Sequence, residues 1–221
     1  KTDEERDPRG HGAKMCETNT PLVADAKHDW PGLSKSVRQL RLATNSELNA
    51  ANVKNLKLKW AMAVPQVHSF VGGGHPISIV GDRVFMGSLN HWVYSLDANT
   101  GCAHWAFEAE FRIRAGVSVQ DGIAVFGDTG ANVYALNAET GQLIWRQKAD
   151  WTPTSRVSGK LTLHDGVAYV PISNYQEVLN MGGRTLEFPC CTARGSVSAF
   201  DLYTGERKWK TYTIDERSEF I

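Results

Sequence analysis

The sequence predicts an all-β fold, an incomplete propeller of four-stranded blades, on three observations. A thirteen-residue phrase occurs three times, as Val93–Trp105 (VYSLDANTGCAHW), Val133–Trp145 (VYALNAETGQLIW) and Val197–Trp209 (VSAFDLYTGERKW). Trp105 and Trp145 stand 40 residues apart, close to the ~40–45-residue period of four-stranded propeller blades. Ahead of each phrase lie two short strand patterns joined by a Gly/Asp turn: residues 77–86, 117–126 and 161–170. An open stack or sandwich of hairpins is the plain alternative, and repetition at this long period argues against it.

Taken in order, residues 1–29 are polar with no hydrophobic period and read as a linker or irregular arm. The partial propeller is expected over 30–221. Residues 45–53 suit one short helix with Ser46 as N-cap. Leu56-Lys-Leu-Lys-Trp60 alternates apolar and polar and ends like the repeat. It predicts a strand near 56–62 that closes a blade whose other strands lie elsewhere. Blades are expected near 70–109, 112–149 and 156–213. In each phrase Asp97, Asn137 or Asp201 can bond the backbone N–H groups ahead of it. Gly101, Gly141 or Gly205 can take a left-handed conformation, so the hairpin closes through a glycine bulge. The third strands place Ser95, Ala135 and Ala199 on one face and Leu96, Leu136 and Phe200 on the other, the pattern of a strand buried between stacked sheets. The terminal tryptophans are read as docking between blades.

Three blades and a strand do not close a ring, since propellers use roughly 4–8 blades. The expectation is a piece of a longer protein, a poor enzyme by itself, with open blade faces that favour self-association.

Composition narrows the function. Lys+Arg and Asp+Glu are 24 each, so there is no electrostatic case for nucleic acid or an anionic membrane. No apolar run reaches the ~18 residues of a membrane helix. The chain starts with Lys, so the lack of a signal peptide says little about destination. Cys16, Cys102, Cys190 and Cys191 form no CxxC or CxxCH spacing, which speaks against a zinc ribbon or c-type haem attachment within this chain. Cys16 and Cys102 are either a staple from the arm to the first blade or two separate thiols.

The third unit is longer than the second, with 64 residues from Trp145 to Trp209. Its insertion contains the adjacent pair Cys190-Cys191. Adjacent cysteines can close a small, strained disulfide ring, favoured outside the cytosol; the plain alternative is two neighbouring buried thiols. Arg112 and Arg114 precede a strand and either point into the central channel or are ordinary surface charges.

The blade phrase, together with Leu56–Trp60, Gly127-Asp-Thr-Gly130 with Asn132-Val-Tyr-Ala135, and Pro189-Cys-Cys-Thr-Ala-Arg-Gly-Ser-Val197, resembles the pyrroloquinoline-quinone (PQQ) dehydrogenases, in particular their polyvinyl-alcohol dehydrogenase-like branch. The resemblance covers about residues 30–215 and implies PQQ-type blades. It implies that Cys190 and Cys191 form a disulfide platform on one face of PQQ, and that Arg194 contacts a PQQ carboxylate. It implies Ca²⁺ held by Glu177 and Asn174, whose oxygens suit a hard cation. The implied activity is periplasmic or secreted alcohol oxidation on a small or polymeric alcohol, with electrons passed to a cytochrome c. The catalytic base is not identifiable. The competing reading is a cofactor-free propeller scaffold for protein–protein interaction.

Overall fold

The structure is a computed structural model that describes residues 13–25, 29–32, 34, 40, 42–43, 46–62, 76–176 and 193–214. Among the described residues, thirteen strands build three antiparallel sheets. The first runs β1 (Ser78–Val80), β2 (Arg83–Gly87), β3 (Trp92–Asp97), β4 (Ala103–Glu108) in that spatial order. The second repeats it with β5 (Ser118–Gln120), β6 (Ile123–Gly127), β7 (Asn132–Asn137) and β8 (Leu143–Lys148). The third uses β10 (Thr162–His164), β11 (Val167–Asn174), β12 (Ser196–Asp201) and β13 (Arg207–Tyr212), and β9 (Ser155–Arg156) adds to the far end of β11. These are the four-stranded blades of an all-β partial propeller. The short first strands β1, β5 and β10 are neighbours from sheet to sheet and so line the axis.

The phrase repeats as geometry. Oδ1 of Asp97 accepts from the N–H of Asn99 and Thr100, Asn137 from Glu139 and Thr140, and Asp201 from Tyr203 and Thr204. Gly101, Gly141 and Gly205 take φ of +75°, +75° and +74°, where a Cβ would be strained. The register shifts beside each hairpin loop, at Ser95/Leu96, Ala135/Leu136 and Ala199/Phe200.

The same glycines receive the preceding tryptophan. Trp105 lies on Gly141 and donates Nε1–H to Ala138 O at 3.0 Å. Trp145 lies on Gly205 and donates to Leu202 O at 2.8 Å. Leu56–Trp60, expected as a strand, carries no ladder among the described residues, because no neighbouring strand there offers backbone partners. Its ring still docks by the same rule, on Gly101 with Nε1–H to Ala98 O at 3.0 Å. The helix expected over 45–53 is instead one 3₁₀ turn at Val53–Asn55. Asn49 Oδ1 takes the N–H groups of Ala51 and Asn52, so local side-chain bonds compete with the first helical turn.

Each third strand is buried on both faces. Val133 and Ala135 join Trp145, Ala168 and Phe200 in the core between the second and third sheets, while Tyr134 and Leu136 join Phe85, Trp105 and Val117 in the core between the first and second. A third core, on the outer side of the first sheet, brings Tyr94 and Leu96 to Ala13, Met15, Trp60 and Met62.

The N-terminal segment is irregular but fastened. Cys16 and Cys102 form a disulfide, beside backbone bonds from Cys16 N to Ala103 O and from Ala103 N to Lys14 O. The fully buried Arg83 donates to Thr20 O and, at 2.7 Å, to Glu139 O in the second sheet. Further on, Trp30 exchanges backbone bonds with Ile79 of β1, and Pro31 O accepts from Val119 of β5. The segment thus crosses from the outer edge of the first sheet to the axis. The disulfide closes a loop with sequence separation 86. Replacing both cysteines by serine is expected to cost about 2–4 kcal/mol in denaturant unfolding, with residues 13–20 becoming the first site of limited proteolysis.

Candidate functional site

Two connections between sheets are built alike, and each delivers an arginine to the same place. Between β4 and β5, Ile113 is fully buried on Gly87 and donates its N–H to Ser88 O at 3.0 Å. Between β8 and β10, Val157 is buried on Gly127 and donates to Asp128 O at 3.1 Å. A Cβ on either glycine would meet those side chains at 2.3 Å, so both strands must end in glycine for the connections to seat. The residues immediately before the two anchors are Arg112 and Arg156. Arg114 follows the first anchor.

The β6–β7 turn carries Thr129 between them, its N–H donating to Arg112 O at 2.9 Å. This turn is rigid. The fully buried Asp128 carboxylate accepts from Gly130 N, Asn132 N, Asn132 Nδ2 and Tyr134 OH. Burial and the Asp128 charge both push the Tyr134 phenol up, so it stays a donor.

Arg112, Arg114 and Arg156 line one cavity of ≈ 450 Å³ with Leu89, His91, Phe111, Thr129 and Tyr175. The Arg156 guanidinium lies 3.5 Å from the centre of the Tyr175 ring. Burial lowers its pKa, with Tyr175 opposing and the Arg114 charge lowering it further. Among the described residues its buried Nε has no hydrogen-bond partner. Cations gathered in this way, one with an orphaned donor, suit an anion. The volume is that of a small-molecule site.

The expected site residues fall into two groups. Cys190, Cys191 and Glu177 lie outside the described residues. Asn174 and Arg194 lie inside them but do not line this cavity. Asn174 Oδ1 accepts from Gln176 N at 3.0 Å and its Nδ2 donates to Ala193 O at 3.1 Å. Gln176 Oε1 accepts from Ala193 N at 3.1 Å. Asn174 and Gln176 therefore clasp the two ends of the insertion that holds the cysteine pair, at the sheet end where Tyr175 enters the cavity. Arg194 stacks on Tyr212 at 3.8 Å and donates to Ile214 O at 3.2 Å. Among the described residues no group of three or more His, Cys, Asp or Glu could hold a metal. Arg156 was missed in the sequence reading, yet aligning the repeats reveals it: Arg112 and Arg156 each stand six positions before the first residue carrying a hydroxyl on the inner strand, Ser118 and Thr162.

Comparison with known proteins places the fold. A family model, PQQ_2, described as outer membrane protein assembly factor BamB, matches residues 89–219. A polyvinylalcohol dehydrogenase from Pseudomonas sp. is 32% identical over 204 residues, covering 89% of this chain and 31% of the relative. A quinohemoprotein alcohol dehydrogenase from Comamonas testosteroni is 26% identical over 199 residues, covering 84% and 26%. The crystal structure of the quinohemoprotein alcohol dehydrogenase from that organism superposes with a TM-score of 0.69 at 22% identity, over 86% of this chain and 28% of the other. The chain thus spans about a third or less of the length of these relatives. It belongs to the PQQ_2 β-propeller family, and its relatives there are polyvinylalcohol and quinohemoprotein alcohol dehydrogenases.

Proposed function

We propose that this chain supplies part of the cofactor site of a PQQ-dependent alcohol dehydrogenase, and that the arginine-lined cavity receives the carboxylates of PQQ. The observation that carries the reading is the orphaned, buried Nε of Arg156 in a cavity shared with Arg112 and Arg114. PQQ is flat and bears three carboxylates, and planar guanidinium forks suit bidentate recognition of carboxylate. When bound, PQQ supplies the redox chemistry, taking a hydride equivalent from the alcohol. The chain's own part is to bind and orient. Arg112 and Arg156 would fix the carboxylate edge, Arg114 would add charge at the exposed rim, and Tyr175 holds Arg156 in plane.

Cys190 and Cys191 are proposed as a disulfide platform for the cofactor face, since their insertion is clasped at the sheet end that bears the cavity. Arg194, stacked on Tyr212, would have to leave that ring to reach a carboxylate. Ca²⁺ is proposed on the resemblance, with Glu177 as its carboxylate; Asn174 Oδ1 would have to exchange its Gln176 bond to join. The wider reading is a periplasmic or secreted enzyme that passes electrons to a cytochrome c. No helix among the described residues is long and apolar enough to cross a membrane.

The description attached to the family model favours one other reading, a cofactor-free assembly scaffold. Titrating PQQ and Ca²⁺ into the intact protein separates the two. Bound-quinone absorbance with dye-linked oxidation of polyvinyl alcohol or a small alcohol is the expected result; no binding at saturating PQQ would leave the scaffold. Replacing Cys190 and Cys191 by serine is expected to lower PQQ-dependent turnover at least ~10-fold with an unchanged β-sheet circular dichroism. Mass spectrometry showing two free thiols in the native, non-reduced protein would remove the platform.

A further inference from the structure

Lys160 stands just ahead of β10 in the third sheet, yet its amine is bonded to the first. Nζ donates to Ser78 Oγ at 2.7 Å and to Ile77 O at 3.2 Å, across 82 and 83 residues of sequence. The side chain reaches them over Gly116, in the connection between the sheets. A Cβ on Gly116 would lie 2.9 Å from Lys160 Cδ and 2.6 Å from Pro76 O. Gly116 is not among the residues with positive φ, so what the position requires is the missing side chain. The bond also completes a series. Ser78 Oγ donates to Val117 O and Ser118 Oγ to Leu161 O, both at 2.6 Å. Each inner strand is thereby stitched to the lead-in of the next, and Lys160 is the return bond from the third to the first.

We infer that Lys160 is a pH-responsive axial tie, whose amine holds the inner edges of three sheets together and whose protonation places an unpaired charge among them. Among the described residues the groups it meets are Ser78 and two backbone segments (Pro76–Ile77 and Gly116), with no carboxylate and no other titratable group facing it from the first or second sheet. Burial alone lowers its pKa from 10.5 to about 7. A neutral amine still donates both bonds; the ammonium adds a half-buried charge that no carboxylate among the described residues offsets. The sign follows. Between about pH 7 and pH 10.5 the unfolded chain holds a proton that the folded chain lacks, so this group makes stability rise with pH across that window. Below about pH 7 both states are protonated, the slope vanishes, and the cost of the half-buried charge is felt in full.

The test is the stability of the intact protein against K160M from about pH 6 to about pH 10. The gap between wild type and K160M is expected to move in favour of wild type as pH rises, by several degrees in Tm and with a slope approaching one proton. A gap that does not change with pH overturns the tie. If K160M does not fold, ¹³C-methylated lysine NMR of the wild type, with Lys160 assigned through K160R, gives the answer. A midpoint far below 10.5 supports the tie, and an ordinary midpoint overturns it. G116A is expected to return that midpoint toward the ordinary lysine value by blocking the path; a midpoint unmoved by G116A overturns the route proposed here.

Discussion

Replacing Arg156 by methionine is expected to weaken PQQ binding about 10- to 100-fold while leaving the melting temperature unchanged or higher. The two effects have one cause. The guanidinium is half-buried, its Nε has no partner among the described residues, and the Arg114 charge works against it. Leaving such a group unpaired costs stability, whereas methionine keeps the packing of the stem and removes the charge. A charge-assisted bond to a carboxylate contributes about 1.5–3 kcal/mol, which sets the expected loss of affinity. Calorimetric titration of PQQ into the intact apo-protein measures it. Arg156→Lys should fall between, since it keeps the charge but not the fork, and Arg112→Met should behave like Arg156→Met because both residues hold the same position in successive connections. A variant that binds PQQ as well as wild type would place the cofactor elsewhere; one that melts well below wild type would make Arg156 a structural residue.

Trp105→Ala is expected to cost about 3–5 kcal/mol in urea unfolding, the range of a buried Trp truncation. The ring is 5% exposed and lies between two sheets. It covers Gly141, where a Cβ would already be 2.7 Å from the indole, and it satisfies Ala138 O. Alanine would leave a cavity and would strip Ala138 O of its shorter bond, leaving only the 3.4 Å one from Arg83 Nη1, and no neighbour can close on Gly141 because its backbone is held at φ +75° by the bulge. Trp145→Ala should cost a similar amount, since its contacts repeat those of Trp105 on Gly205 and Leu202. Trp151, 80% exposed, is the control: its removal should stay within about 0.5 kcal/mol. If Trp105→Ala proved as mild as Trp151→Ala, docking between blades would not be what holds the sheets together.

The repeat was legible in the sequence because its chemistry is local. Asp97, Asn137 and Asp201 bond N–H groups two and three residues ahead, and the glycines four positions on need only their own φ. The small residues Ser95, Ala135 and Ala199 could be placed on the face opposite Leu96, Leu136 and Phe200 because strand alternation has a fixed period. Fold class, strand count per blade and the use of tryptophan follow from such short-range rules. The strand expected at Leu56–Trp60 shows their limit. Its pattern is right, but a strand forms only where another backbone offers a ladder, and an alternating pattern cannot say where that backbone is.

The candidate site was less legible, since it depends on residues far apart in sequence that only packing brings together. Arg112 and Arg156 reach one cavity because Ile113 and Val157 seat on Gly87 and Gly127 of different sheets. Taken singly, each reads as an ordinary charge before a strand. Cys16 and Cys102 left two readings open until the N-terminal segment was seen to run beside β4. Lys160 gave no signal at all, because its partner lies two sheets away and what makes the contact possible is an absent side chain at Gly116. Local turn and strand chemistry determined the blades; the meeting of cations, the disulfide and the axial tie were decided by how the blades stack, which sets distances that no sequence interval records.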